Sequence, residues 1–225
     1  MTPRNFPRKA LALALSAIVF AAAAPALSFA QAVPAASMQA ASMNGSPSKL
    51  VLDNTQRVLA TLESRRAEFT RDRAALSRFI TSEFDAMFDR EHAARLVLGR
   101  HARGAAEADV KLFGDALAEN LLQRYGSSLL DFNTRLQVRI RSETPLPRDA
   151  GVRVASELLR SGGDPIPVDY LMRRVGNEWR VFDVMVEGVS MVQIFRQQFD
   201  NELQRKSIRQ VAGELRSGQL RATAD

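Results

Sequence analysis

Residues Ile166 to Phe199 read IPVDYLMRRVGNEWRVFDVMVEGVSMVQIFRQQF, and their periodicity decides the fold. Apolar and polar side chains alternate through Val168 to Val175 and again through Trp179 to Val186, the period of two that a half-buried strand requires. Gly176-Asn177 between the two runs is a two-residue hairpin signal. A loop of those two residues places Met172 opposite Val181, Tyr170 opposite Asp183 and Val168 opposite Met185. One face then carries Val168, Tyr170, Met172, Trp179, Val181 and Met185, with Asp183 and Arg174 as its only charges. The other carries Leu171, Val175, Phe182 and Val184 among Asp169, Arg173, Glu178 and Arg180. The first face is therefore predicted to point inward, and a slip of one residue would exchange the two.

Working upstream, Val152 to Leu159 predicts another strand, followed by a turn at Ser161-Gly162-Gly163-Asp164. Before it, from Phe132 onward, Leu136, Val138 and Ile140 alternate with Arg135, Gln137, Arg139 and Arg141 until Pro145 and Pro147 end the run. Those arginines read as a solvated strand face, the alternative being a docking patch for an acidic partner. The remaining periodicity is helical. Ser46-Pro47 is a helix start, and Leu50, Val51, Val58, Leu59 and Leu62 follow at helical spacing. A second pattern holds Leu76, Phe79, Ile80, Phe84, Met87 and Phe88, and a third, short one runs through Leu96 and Val97 to a stop at Gly99. A long helix is predicted over Glu107 to Tyr125 with a stripe of Phe113, Leu117, Leu121 and Tyr125. Beyond the strands the chain returns to helix over Ser190 to Arg205, with a short tail helix near Ile208 to Leu215. Helices, then a four-stranded antiparallel meander, then a closing helix define an α+β fold whose curved sheet is wrapped on helices.

The N-terminus reads as an address and not as fold. Arg4, Arg8 and Lys9 precede an apolar stretch from Leu11 to Leu27, and Ser28-Phe29-Ala30 is a small-x-small cleavage site. Residues 1–30 are expected to be a cleavable signal peptide, 31–45 a flexible leader, 46–217 the folded domain and 218–225 a tail; an uncleaved membrane anchor is the competing reading, against which the strongest apolar run stops at Pro25, short of the roughly 20 residues that a span needs. The formal charge of +6 includes three cations of that signal, which leaves 28 basic against 25 acidic residues, a net +3. So weak an excess gives little support to nucleic-acid binding and leaves open a weak attraction to an acidic membrane surface or partner. The chain has no Cys, which excludes disulfides and a lipid-modified cysteine.

The stretch from Ile166 to Phe199, together with Arg95-Leu96-Val97-Leu98-Gly99-Arg100, resembles the periplasmic phospholipid carriers of the Mla lipid-asymmetry pathway, the Mla C component or toluene-tolerance auxiliary proteins. The likeness runs from about Leu50 to about Leu215. It is specific from Trp179 to Phe199. One departure is local: the family places Trp two or three residues after the glycine, where this chain has His101 and Ala102. The resemblance implies a nuclear-transport-factor-like pocket that takes acyl tails and leaves the head group near solvent. It implies bound phospholipid as cargo with no other cofactor, and two docking partners, an outer-membrane lipoprotein and porin complex and an inner-membrane ABC transporter complex. On that reading the acyl chains are expected to meet Phe84, Phe88, Phe113, Leu117, Leu121 and Tyr125 from the helices. From the sheet they meet Val138, Ile140, Val154, Val168, Tyr170, Met172, Val181, Met185 and Val189, and Phe195 from the closing helix.

The same residues admit a packed core, in which side chains touch each other and no ligand. Tyr170 and Asp183 are the most enzyme-like pair, since a buried carboxylate beside a phenol suits an isomerase or dehydratase. A hydrogen-bonded structural pair is the simpler reading. His92 and His101 have no third ligand at a metal spacing, and the sequence contains no nucleophile elbow, phosphate loop or paired-His motif.

Overall fold

The computed structural model describes residues 45–130, 136–160 and 163–223. The expected signal peptide and almost all of the leader lie outside the described residues, as do Phe132, Arg135, the Ser161-Gly162 half of the turn and the last two residues of the tail. Among the described residues, seven α-helices and five strands follow in the order α1 (Pro47–Ser64), α2 (Arg66–Arg71), α3 (Arg73–Met87), α4 (Arg90–Leu98), α5 (Glu107–Tyr125), β1 (Gln137–Pro145), β2 (Val152–Leu159), β3 (Ile166–Val175), β4 (Glu178–Val186), β5 (Val189–Ser190), α6 (Met191–Leu203) and α7 (Ile208–Ser217). Side-chain caps fix most helix starts, because the first turn of a helix leaves N–H groups without intrahelical partners. Ser46 accepts from the Lys49 amide at 3.2 Å, Asp72 from Ala75 at 2.9 Å and Asp89 from His92 at 3.0 Å. Ser207 and Gln210 form a reciprocal capping box on α7. Gly99 ends α4 at φ 56°, a conformation that favours glycine.

The sheet is an antiparallel meander in the order β1-β2-β3-β4-β5. It has five strands where the sequence pattern predicts four. Glu187 and Gly188, at φ 50° and 82°, turn the chain so that Val186 faces Val189. A two-residue strand is too short to generate a period-two signal.

The hairpin register is also corrected. Met172 does pair with Val181 across the Gly176-Asn177 turn, but a bulge at Phe182 then shifts the ladder by one. Beyond it Leu171 faces Asp183, Tyr170 faces Val184 and Val168 faces Val186. The extra residue reverses the alternation of β4, so Val184 and Val186 join the face of Tyr170 and Val168 while Asp183 and Met185 leave it. Just before the bulge, the free edge of β4 is covered: the Asp89 amide donates to the Val181 carbonyl at 2.8 Å, and Arg180 reaches the carbonyls of Asp85 and Ala86 at 2.8 Å each.

Apolar burial divides into two clusters. In the first, Val51, Phe69 and Leu76 of α1–α3 pack on Val154, Val168, Met172 and Val181 of the sheet. In the second, α4–α7 enclose Phe113, Phe199, Val211 and Leu215 without the sheet. The segment expected as a tail packs onto this second cluster. Buried Asn120 donates to the carbonyls of Leu215 and Leu220 at 2.7 and 3.2 Å and accepts from the Ala222 amide at 2.9 Å. Gln198 holds the neighbouring backbone in the same way, through Arg221 and Thr223.

Candidate functional site

Between the two clusters lies a cavity of about 200 Å³. Its walls come from both sides. α1 contributes Asn54, Thr55 and Val58, and α3 contributes Ile80, Glu83, Phe84, Met87 and, just past its end, Phe88. α4 supplies Arg90, Ala93, Ala94 and Val97, while α5 supplies Gly114, Leu117, Ala118, Leu121 and Tyr125. Tyr170, Phe182, Asp183 and Val184 close it from the sheet, and Met191, Val192 and Phe195 from α6. Small residues let α4 and α5 approach closely beside it, for a Cβ added to Gly114 would come within 3.1 Å of that of Ala94.

Of the residues expected to meet acyl chains, Phe84, Phe88, Leu117, Leu121, Tyr125, Tyr170 and Phe195 line this cavity. Phe113 does not. A stripe spaced by four drifts about 40° per step on a helix of 3.6 residues per turn, so three steps before Tyr125 the side chain has rotated into the second core. There it meets Phe199 edge-to-face at 5.6 Å. Val154, Val168, Met172 and Val181 are fully buried in the first core, where neighbouring side chains leave no free space. Val138 and Ile140 pack on the rim of that core. Met185 and Val189 lie outside the lining because the bulge and the fifth strand carry them away from it.

Phe182 and Val184 are the cavity residues that the uninterrupted alternation misplaces. The bulge is what brings them in, and no turn residue marks it. Val192 was legible only as helix, and Ala93, Ala94 and Ala118 carry no apolar stripe. Phe84 and Phe88 stack at a centroid distance of 4.0 Å along the wall.

The polar groups at the cavity are accounted for individually. Tyr170 is hydrogen-bonded to Thr55 and buried, and burial pushes its phenol up to about 12. Asp183 accepts from the Ser190 hydroxyl at 2.5 Å and the Val192 amide at 3.1 Å, so it serves the first turn of α6. Burial raises its carboxyl above the usual range against those hydrogen bonds. The expected opposition of Tyr170 and Asp183 does not form: Tyr170 pairs with Val184, and the two polar groups are engaged separately, by Thr55 and by the start of α6. Glu83 receives the Asn54 amide at 3.0 Å and Arg57 at 2.6 Å. Arg90 donates through Nη1 to Asp115 at 2.7 Å and through Nη2 to Asp85.

Outside the cavity, His92 packs edge-on to Phe182 at 5.3 Å, and burial lowers its pKa. His101, at the departure from the family's Trp, lies 2.9 Å from Asp200. Arg139 is held by Glu157 at 2.6 Å with Arg141 at 3.6 Å from the same carboxylate, which engages part of the proposed basic strand face. Among the described residues no group of three or more His, Cys, Asp or Glu is placed to hold a metal, and no helix is long and apolar enough to cross a membrane.

Fold and cavity define an α+β protein with an apolar chamber between a sheet-and-helix core and a helical core. The family model described as MlaC protein matches residues 52–217, and the chain belongs to that family. It is 25% identical over 179 residues to toluene tolerance protein ttg2D of Pseudomonas putida, covering 76% of this chain and 81% of that protein. It is 21% identical over 151 residues to the intermembrane phospholipid transport system binding protein MlaC of Haemophilus influenzae, covering 66% and 70% respectively. Its fold is similar to that of a phospholipid-binding protein from Ralstonia solanacearum solved in complex with a phospholipid. That match has a TM-score of 0.66 at 18% identity and covers 76% of this chain and 97% of that one.

Proposed function

We propose that this protein is a soluble periplasmic carrier that holds phospholipid by its acyl chains in the cavity and performs no covalent chemistry. The observation that carries the reading is the lining: among its residues only Glu83, Arg90 and Asp183 are charged, and all three carboxylate or guanidinium groups are engaged within the protein. Membership of the MlaC family and the names of its relatives support the same ligand class. Two acyl chains expose some 30 methylenes, so at about 0.8 kcal/mol each an unshielded lipid would meet a barrier of roughly 24 kcal/mol in water. A carrier replaces that burial nearly evenly and leaves direction to its partners, an outer-membrane lipoprotein and porin complex and an inner-membrane ABC transporter complex. Residues 1–30 direct export and are removed, and the pocket is of the nuclear-transport-factor-like kind. Purification from the periplasm, N-terminal sequencing and native mass spectrometry with lipid extraction test the reading. The expected product begins near Gln31 and carries phospholipid in near-stoichiometric amount. A protein that never carries lipid, even after incubation with phospholipid vesicles, overturns it.

A further inference from the structure

Arg90 lines the cavity, yet its guanidinium is only partly used. Nη1 is bound to Asp115, whose other oxygen receives Lys111 at 2.7 Å, while Nη2 is bound by Asp85 alone. Nε is buried and has no hydrogen-bond partner among the described residues. A buried donor without an acceptor is rare in a folded protein and calls for a partner. Nε and Nη2 form one edge of the guanidinium, the two-donor edge that matches a pair of phosphate or carboxylate oxygens. Asp85 occupies half of that edge from the surface, with its side chain 52% exposed, so its loss to solvent costs little. Arg90 itself keeps only 25% of its side chain exposed and lies over the Phe84 ring at 5.6 Å. It is therefore fixed at the boundary between the apolar wall and water, where the head group of a lipid with buried tails would emerge. The cavity, about 200 Å³, is small for a ligand pocket, for which about 300–1,000 Å³ is usual, so its walls must part to admit acyl chains.

We propose that the Nε and Nη2 edge of Arg90 binds the phosphate of the cargo, with Asp85 as the resident carboxylate that the phosphate displaces. This rests on the carrier reading and adds to it a selection for phosphate-bearing lipids over neutral lipids with the same tails. The adverse charge is limited: Asp115 is neutralised by Lys111, and Asp85 leaves as the phosphate arrives.

The test loads delipidated protein from vesicles containing phosphatidylethanolamine and diacylglycerol of matched tails, and the two lipids are quantified after extraction. The parent should take up phosphatidylethanolamine in preference to diacylglycerol. Arg90→Lys keeps the charge but has no Nε–H, and should lower that preference roughly fivefold or more. Asp85→Asn removes the competing carboxylate and should raise phosphatidylethanolamine uptake, a change opposite in sign that mere loss of an ion pair does not produce. A parent that binds both lipids without preference, or an Arg90→Lys protein that keeps the parent's ratio, overturns the proposal while leaving the carrier reading intact. A parent that binds neither lipid overturns the carrier reading. Titration with inorganic phosphate alone should give no saturable binding. Saturable binding that Arg90→Lys abolishes, with the lipid ratio unchanged, would assign the edge to free phosphate and overturn the head-group assignment.

Discussion

Asp183 illustrates how one carboxylate can look catalytic in a sequence and be structural in the fold. Its neighbours in the chain suggest a polar group on an inward strand face, but its oxygens are taken by Ser190 and by the Val192 amide at the start of α6. Asp183→Asn keeps an oxygen for the Val192 amide and should leave bound lipid unchanged, whereas Asp183→Ala strands that amide and should cost about 1–3 kcal/mol in chemical denaturation. Its raised folded pKa has a defined consequence. Between the ordinary carboxylate range and that raised value the folded state binds more protons than the unfolded one, so this residue's contribution to stability falls as pH rises through the window. The Asn variant should lack that slope, and parallel denaturation curves for the two proteins across acidic pH would contradict the assignment. Tyr170 is separate from it. Tyr170→Phe removes the bond to Thr55 and should lower stability by about 1 kcal/mol without creating or abolishing turnover of any small carbonyl substrate. What the sequence made legible at this scale was the identity of the buried polar groups. Their partners depend on long-range register, which local pattern does not contain.

At the level of elements, the strands and helices were legible because each carries its own period and its own punctuation: Glu107 to Tyr125 and Val152 to Leu159 appear with the bounds that their patterns predict. The short α2 carries no legible signal, since six residues hold too few turns for a stripe, although its Phe69 is fully buried. The bulge at Phe182 was illegible for a stronger reason. Both of its flanks alternate correctly, and only the sum of the two registers reveals the extra residue. It also decides which side chains reach the cavity, so the two registers make opposite predictions about β4. Uninterrupted pairing places Val181 with the ligand and Val184 away from it, whereas the bulge places Val184 in the wall and Val181 in the packed core. Val184→Trp should therefore expel lipid at small cost in thermal stability. Val181→Trp forces the same bulk into a filled core and should cost about 1–3 kcal/mol or more with lipid retained in the fraction that folds. Extraction and quantification of phospholipid from both purified variants, beside their melting curves, decides between the registers; lipid lost from Val181→Trp and kept by Val184→Trp would restore the uninterrupted one.

The whole molecule is two apolar cores that meet across a cavity, an arrangement no single periodic stretch announces. The stripe on α5 serves both: Phe113 lies wholly within the helical core, while Leu117 and Leu121 pack on that core and also line the chamber. The contacts that join the cores are of mixed kind, including the Arg90 pair with Asp85 and the ion pair of Arg173 with Asp89 at 2.7 Å. Partly exposed ion pairs contribute little to stability in water. An acyl chain in the chamber would touch both walls at once and add apolar contact where the empty protein has a void, whose lining forfeits dispersion contacts. Bound lipid should thus stabilise the folded state by linkage, by about 2.7 kcal/mol when free ligand stands at a hundred times its Kd. Delipidated protein is expected to melt several degrees below loaded protein, and titration with short-chain phosphatidylcholine should raise the midpoint progressively. The same titration on Val184→Trp, whose chamber is already filled, should leave the midpoint nearly fixed. A parent whose midpoint does not respond to lipid, or a Val184→Trp protein that responds as fully as the parent, would mean that the ligand does not occupy the space between the cores.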